Sequence, residues 1–120
     1  MAQASMTADP IEKCHHILYL GEHHLPSEFA HLLGCNDVPM RAVDLAQLGP
    51  IIAECAPVLV VSPLYWNDTD ALDVAHRLCA APYRGRYRAL SSHAPPRPEL
   101  IRREVRKVCP GLDFEVLWPS

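Results

Sequence analysis

Side chains that could do chemistry gather in three short stretches of the sequence. The first is Glu22-His23-His24, the second contains Asp68, and the third contains His93. Imidazole nitrogens and carboxylate oxygens bind divalent transition metals. No His-x-His or His-Glu-x-x-His spacing accompanies these residues, so solvated polar loops are the competing interpretation. We therefore expect no metal ion and no cofactor, and a metal-binding or ligand-binding edge built from these residues stays an alternative.

A serine is the second chemical candidate. Ser62 ends an apolar run and, with His93 and an acid, would supply the parts of a hydrolase triad. The flanking sequence Val61-Ser62-Pro63 lacks the Gly-x-Ser-x-Gly turn that exposes such a nucleophile. No catalytic residue is therefore assigned. A small enzyme that uses His, Glu and Ser side chains at one edge of a sheet remains the alternative.

The apolar run before Ser62 is the element that must position these residues. Val58-Leu59-Val60-Val61 has no alternation, which is typical of a strand buried on both faces of a parallel sheet. Ligands of open α/β sheets bind beyond the carboxyl ends of such strands. After the run, Asn67 or Asp68 is expected to cap a helix, while the neighbouring Tyr-Trp pair fits either a lid or core packing.

The rest of the chain alternates between strand-like and helix-like patterns. Helices are expected from Pro26 or Ser27, from Gly49-Pro50, over Asp70–Ala80 and from Pro98; the other strands are expected over 14–20, 40–45, 87–92 and 112–118. This alternation predicts an α/β protein with three layers and a doubly wound sheet of five parallel strands, in the flavodoxin-like order 2-1-3-4-5. The expected organisation is a flexible tail over 1–12 and a single domain over 13–120.

The layout and hydrophobic pattern resemble the receiver domains of bacterial response regulators. ILYLGEHHLPSEFAHLL is similar to a receiver's first strand and helix, and APVLVVSPLYWNDTDALDVAHRL is similar to the segment that carries the phosphoacceptor. RALSSH and VLWPS are similar to the last two strands of a receiver. The resemblance implies a receiver-like scaffold over about residues 15–119.

Residue by residue, the resemblance implies a receiver site without its chemistry. Its acidic pair falls on Gly21 and Glu22, its switch hydroxyl on Ser91 and its lysine on Trp118. Its phosphoacceptor falls on Ser62, or on Pro63 if the register slips by one. A receiver needs carboxylates to hold Mg²⁺ and a lysine to bind the phosphoryl group, and a serine cannot form an acyl phosphate. The fifth helix of the family is also missing from the pattern. The resemblance therefore implies a pseudo-receiver, a non-enzymatic regulatory or protein-interaction domain not competent for aspartyl phosphorylation.

Charge is distributed unevenly along the chain. Residues 1–76 carry ten acidic and two basic side chains, and residues 77–120 carry nine basic and four acidic ones. We expect a partner-binding face that combines basic helix residues with one apolar residue: Arg102, Arg103, Arg106, Lys107 and Leu117. A nucleic-acid-associated regulator is a further alternative, although the isoelectric point near 6.1 and the acids Glu99 and Glu104 argue against it.

Composition indicates a cytoplasmic protein. Five scattered cysteines without a Cys-x-x-Cys pair are expected to be reduced thiols, mostly buried. No apolar run approaches the about 20 residues of a membrane span, so no membrane association is expected. The apolar strand at 17–20 would be uncovered where a fifth helix would lie, which predicts a homodimer through that side.

Overall fold

A computed structural model describes residues 17–21, 29, 33, 40–54, 57–81 and 83–119. The expected tail over 1–12, the residues Glu22, His23 and His24, and most of the helix expected from Pro26 or Ser27 lie outside the described residues. Phe29 and Leu33, which belong to that expected helix, are both helical.

The fold is α/β, with one sheet of five parallel strands. In chain order the strands of this sheet are β1 (Ile17–Leu20), β2 (Met40–Val43), β3 (Leu59–Pro63), β6 (Arg86–Leu90) and β7 (Asp113–Leu117). Two short strands, β4 (Tyr65–Trp66) and β5 (Thr69–Asp70), pair separately as an antiparallel hairpin. The order across the main sheet is β2-β1-β3-β6-β7, which confirms the predicted arrangement of five parallel strands and is compatible with a flavodoxin-like layout.

Three helices in the described part of the chain cover one face of this sheet. They are α1 (Leu45–Glu54), α2 (Ala71–Ala80) and α3 (Pro98–Val108). Each buries apolar residues in one large cluster with the strand residues that point the same way, among them Val60, Tyr87 and Phe114. The continuous apolar pattern of β3 follows from this arrangement, because Val60 packs under the helices while Leu59 and Val61 pack on the opposite face. None of the described helices is long and apolar enough to cross a membrane.

The opposite face of the sheet carries a smaller apolar cluster and a charged strip. Ile17, Tyr19, Leu59, Val61 and Leu90 form the cluster with Phe29, and Leu33 packs against it. All six clustered residues are at most 7% exposed. The described part of this face therefore shows no uncovered apolar patch of the kind that motivated the expected homodimer. The charged strip on this face comes from strand β7, whose Asp113 and Glu115 alternate with Phe114 and Val116 of the helix-covered face.

Two helix starts differ from the expected positions. Helix α1 begins at Leu45 rather than at Gly49-Pro50, and Pro50 lies inside it. The Gln47 side chain accepts a hydrogen bond of 3.0 Å from the Asp44 backbone N–H, which is half of a capping box and fixes the earlier start. Pro50 removes one backbone hydrogen bond, and the burial of Leu48 and Ile51 keeps the helix on the sheet.

Helix α2 begins after Asp70, which is its N-cap. The Asp70 carboxylate accepts from the Asp73 N–H at 3.0 Å, and the Asp73 carboxylate accepts from the Asp70 N–H at 3.1 Å. Asn67 and Asp68, which the sequence suggested as caps, instead form the turn between β4 and β5. Their positive φ angles of 46° and 60° match the two-residue hairpin turn in which both central residues are left-handed.

Candidate functional site

At the carboxyl end of β3, Ser62 is closed into the core. Its residue is 0% exposed, and its hydroxyl lies 2.6 Å from the hydroxyl of Tyr87 on the neighbouring strand β6. The Ser62 hydroxyl also donates to the Pro63 carbonyl oxygen at 2.8 Å. Because that carbonyl can only accept, the Tyr87 hydroxyl is the donor to Ser62. We call Ser62 and Tyr87 the buried hydroxyl pair. In this pair the serine is part of the core and is inaccessible to solvent.

The environment of the buried hydroxyl pair is apolar. Tyr87 is fully buried, and its ring packs against that of Phe114 with centroids 5.2 Å apart and planes tilted by 49°. Burial raises the pKa of the Tyr87 phenol, the charge of Asp70 adds to this, and the hydrogen bond with Ser62 acts in the opposite direction. The buried hydroxyl pair, on which the sequence-based expectation placed a degenerate phosphoacceptor position, is therefore neutral, closed to solvent and hydrogen-bonded.

The other receiver-like positions are not assembled into a phosphate or Mg²⁺ site by the described residues. Gly21 has φ +147°, and a Cβ there would lie 3.1 Å from the Tyr19 hydroxyl, so this position disfavours any other residue. The Ser91 hydroxyl donates to the carbonyl oxygen of His93 within its own loop. Trp118 is half-buried and packs on the large cluster under the helices.

The β4–β5 hairpin directly follows β3 and lies beside the buried hydroxyl pair at the carboxyl edge of the sheet. The Leu64 N–H donates to the Leu90 carbonyl oxygen at 2.7 Å, and the Ala71 N–H donates to the Leu64 carbonyl oxygen at 3.1 Å. These bonds fix the hairpin between β6 and the start of α2. Its two aromatic residues then separate, because Trp66 packs on the core while Tyr65 is 67% exposed.

An apolar cleft of about 290 Å³ opens between the hairpin, the first turn of α2 and helix α3. We use the name apolar cleft for the space lined by Leu64, Ala71, Leu72, Leu100 and Ile101, with Tyr65, Asp70 and Glu104 at its rim. The two carboxylates are the only charged groups among its lining residues. Such a space takes one or two apolar side chains, and its rim favours a neighbouring cation.

A second space, the polar crevice, lies where the chain directions from β1 and β3 diverge. It has a volume of about 420 Å³, and its lining residues are Gly21, Val43, Asp44, Leu45, Trp66, Asn67 and Thr69. Strand order reverses between β1 and β3 at this point, and open α/β sheets bind ligands in such crevices. Neither Asp68 nor His93, the two described residues of the predicted ligand edge, lines this crevice. Glu22 and Asp68 directly follow its lining residues Gly21 and Asn67 in the sequence.

The metal-binding alternative gains no support among the described residues. No group of three or more potential His, Cys, Asp or Glu ligands occurs in the described ranges. Asp68 is exposed at the tip of the hairpin, and His93 is exposed in the loop after β6. Because Glu22, His23 and His24 lie outside the described residues, their part in this edge stays a prediction.

The basic residues expected on a partner face have different surroundings. Arg102 pairs with Glu115 of β7 at 3.2 Å, and Lys107 pairs with Glu104 at 3.2 Å. Arg103 and Arg106 are exposed on α3. Leu117 is half-buried and packs on the cluster of the opposite face of the sheet. Its part in a common partner face with the helix residues stays a prediction.

The apolar cleft was missed by the sequence analysis, although two signals for it were present. The Asn-Asp pair between Tyr65-Trp66 and Thr69-Asp70 is typical of a tight hairpin, which makes the aromatic pair part of a ribbon. The Asp70-x-x-Asp73 spacing resembles a capping box, which leaves Asn67 and Asp68 available for the turn.

In comparisons with known proteins, no family model, no curated protein and no solved structure matches the chain.

Proposed function

We propose that the chain is a non-enzymatic regulatory domain on a receiver-like scaffold, which acts in the cytoplasm by binding a protein partner in the apolar cleft. The observation that carries this proposal is a contrast at the carboxyl edge of the sheet. The phosphoacceptor position is closed by the hydrogen bond between Ser62 and Tyr87, whereas the apolar cleft beside it stays open. An exposed tyrosine next to an apolar space is the composition that protein interfaces favour.

The chemistry of the cleft favours a partner segment with a bulky apolar side chain next to a lysine or arginine. The floor residues, Leu72 and Ile101 among them, receive the apolar side chain, and the rim carboxylates of Asp70 and Glu104 attract the cation. Glu104 is paired with Lys107 at 3.2 Å, with both side chains more than half exposed. Exposed pairs of this kind contribute little stability, so a partner cation replaces Lys107 at small cost.

The experiment that tests the proposal is selection of binders from a random peptide library displayed on phage, with the whole protein immobilised. Enriched peptides are expected to carry Leu, Ile, Phe or Trp beside Lys or Arg. Their affinity is then measured by calorimetry for the wild type and for two matched variants. Tyr65→Ala removes the aromatic rim, and Met40→Ala removes the other large apolar side chain that is exposed among the described residues.

Tyr65→Ala is expected to weaken binding by about tenfold, since tyrosine is enriched among the interface residues whose truncation costs most, and about 1.4 kcal/mol corresponds to a tenfold change. Met40→Ala is expected to leave the affinity unchanged, because Met40 lies on edge strand β2 and not among the cleft residues. Peptides that bind both variants equally, or a library that yields no specific binder, would contradict the proposal.

The absence of phosphoryl chemistry is tested separately. Beryllofluoride with Mg²⁺, a mimic of an aspartyl phosphate, is expected to leave the melting temperature unchanged. A ligand at 100 times its dissociation constant would add about 2.7 kcal/mol of stability, which is easily detected. A clear rise in melting temperature would overturn this part of the proposal.

Small-ligand binding is a second candidate, favoured by one observation. The polar crevice lies at the strand reversal between β1 and β3 and is lined by a carboxylate, an amide, a hydroxyl and an indole: Asp44, Asn67, Thr69 and Trp66. These groups suit a small polar molecule with a donor group and a flat ring. A thermal-shift screen of nucleosides and aromatic amines tests it, and hits are expected to be lost in Asp44→Ala. Hits that survive this substitution would contradict the assignment.

Self-association is the third possibility and stays a prediction. The sequence places it on the side of Leu117, whose half-buried side chain lies against the smaller cluster. Light scattering is expected to give twice the chain mass of 13.4 kDa, and Leu117→Glu is expected to reduce it to the monomer. A monomer at high concentration in the wild type would contradict the homodimer.

A further inference from the structure

Two cysteines meet at the ends of neighbouring helices, on the side away from the apolar cleft. Cys79 lies in the last turn of α2, and Cys109 directly follows α3. Helices α2 and α3 pack against each other, and the Cys79 side chain at the end of α2 lies close enough to Cys109 to contribute to the raised pKa of the Cys109 thiol. Cys79 is exposed, and Cys109 is buried. The two cysteines are 30 positions apart in the sequence, so their spacing does not indicate this pair.

The backbone around Cys109 is firmly held. The Cys109 N–H donates to the Val105 carbonyl oxygen at 2.9 Å, and the Leu112 N–H donates to the Cys109 carbonyl oxygen at 3.1 Å. The Arg84 guanidinium lies against Gly111, where a Cβ atom would overlap it. Cys109 is therefore a fixed partner, and Cys79 on the exposed end of its helix is the thiol that adjusts.

We propose that Cys79 and Cys109 form a reversible oxidative modification site, in which peroxide converts the two thiols into an intramolecular disulfide. The Cys79 thiolate attacks one oxygen of the peroxide, so that an S–O bond forms, the O–O bond breaks and hydroxide leaves. The Cys109 sulfur then attacks the sulfur of the Cys79 sulfenic acid. The S–S bond forms, the S–O bond breaks, and the departing hydroxide takes the Cys109 proton to give water. The thiols lose two electrons, which reduce hydrogen peroxide to water.

The surroundings assign the two roles. Burial raises the pKa of the Cys109 thiol to about 11, and the adjacent Cys79 thiol adds to this, while Arg84 and the Gly111 N–H act in the opposite direction. Cys109 thus stays protonated and out of reach of a dissolved oxidant. Exposed Cys79 meets the oxidant first, and Cys109 is the resolving thiol. Thiols of a reducing compartment return the pair to its open form.

The test uses the full chain with the other three cysteines replaced, as Cys14→Ser, Cys35→Ser and Cys55→Ser together. This variant is treated with hydrogen peroxide, and intact mass and the tryptic peptides are measured without reduction. The expected result is loss of two hydrogens per chain and a peptide linked through Cys79 and Cys109, both reversed by dithiothreitol. The oxidised form is also expected to melt at a higher temperature, because the bond closes a long loop.

Two further single replacements in the same background separate the roles of the thiols. With Cys109→Ala, oxidation is expected to stop at a sulfenic acid on Cys79, detected with a dimedone label. With Cys79→Ala, no label and no oxidation are expected, because Cys109 is buried. Circular dichroism confirms that each variant is folded. Cys79 oxidised to sulfinic acid without a linked peptide in the two-cysteine protein would overturn the proposal, as would a protein that peroxide leaves fully reduced.

Discussion

Two regions at the carboxyl edge of the sheet use tyrosine in opposite ways. At the buried hydroxyl pair, Tyr87 is fully buried and its hydroxyl donates a hydrogen bond to Ser62. At the apolar cleft, Tyr65 is 67% exposed and lines the open space. The two residues belong to neighbouring elements, since Tyr65 is the second residue after β3 and Tyr87 lies on β6 beside β3.

This difference indicates that the buried hydroxyl pair is important for the stability of the fold, whereas the exposed Tyr65 is available for binding. The buried pair is saturated, so any change there is expected to alter the free energy of unfolding. The exposed side chain of Tyr65 at the cleft contributes little to the core, so changes at this residue are expected to alter binding and leave stability nearly unchanged. The following predictions test this division, from the largest expected effect to the smallest.

Ser62→Asp is expected to have the largest effect. It places a carboxylate in a fully buried site beside the phenol of Tyr87. An uncompensated buried charge costs about 3–5 kcal/mol, so urea unfolding is expected to show a loss of this size at neutral pH. A variant of wild-type stability that binds beryllofluoride would show that the position is open, against the structure.

Removing one hydroxyl of the buried pair is expected to have a smaller effect. Ser62→Ala leaves the buried Tyr87 donor without a partner and is expected to cost about 1–3 kcal/mol in urea unfolding. Tyr87→Phe is expected to cost about 1 kcal/mol, because Ser62 keeps its bond to the Pro63 carbonyl oxygen. The double variant is expected to lose less than the sum of both. Strict additivity would mean that the hydrogen bond is not formed.

A third tyrosine extends the comparison to alkaline pH. The Tyr83 hydroxyl donates to the Arg86 carbonyl oxygen at 2.9 Å, and burial raises the pKa of Tyr83 to about 12 from 10.0. Its neutral form is therefore favoured by folding. This stabilisation is fully present below pH 10 and is lost as the pH rises toward about 12.

Tyr83→Phe is accordingly expected to cost about 1 kcal/mol at pH 7. The stability difference between wild type and variant is expected to shrink above pH 10, because only the wild type loses the contribution of this phenol. Urea midpoints measured from pH 7 to pH 11 check this. A difference that grows with pH would contradict the assigned environment of Tyr83.

Tyr65→Ala is expected to have the smallest effect on stability. An exposed substitution away from special backbone positions stays within about 0.5 kcal/mol. Its thermal unfolding is therefore expected to overlap that of the wild type, as is that of Met40→Ala. A loss above 1 kcal/mol would show that Tyr65 belongs to the core, and it would remove the contrast on which the proposed function depends.

The parts of the fold that depend on hydrophobic periodicity could be predicted from the sequence. The apolar run before Ser62 fixed β3 as a central strand, and the stripe of Ile101, Val105 and Val108 fixed the face of α3 that packs inward. The order of the five strands followed from strand–helix alternation and right-handed connections. These features depend on patterns of several residues, so single ambiguous positions do not change them.

The start positions of α1 and α2 could not be predicted, because two competing local motifs in the sequence each suit a different helix start. Pro50 suits a first helical turn, yet the Asp44–Gln47 capping interaction starts α1 one turn earlier. Asn67 suits a helix cap, yet Asp70 and Asp73 cap α2 together and leave Asn67 in a turn. The contact between Ser62 and Tyr87 depends on the register of β3 against β6, which sequence spacing alone does not determine.

The most direct test of the account is an isotope-filtered NMR measurement of contacts between the labelled protein and a peptide obtained from the phage selection. The account predicts nuclear Overhauser effects from the peptide's apolar side chain to the Tyr65 ring and to the methyl groups of Leu72 and Ile101, which line the apolar cleft. Contacts instead to Arg103 and Arg106 on the outer face of α3, or to Trp66 in the polar crevice, would contradict the claim that this cleft is where the domain binds its partner.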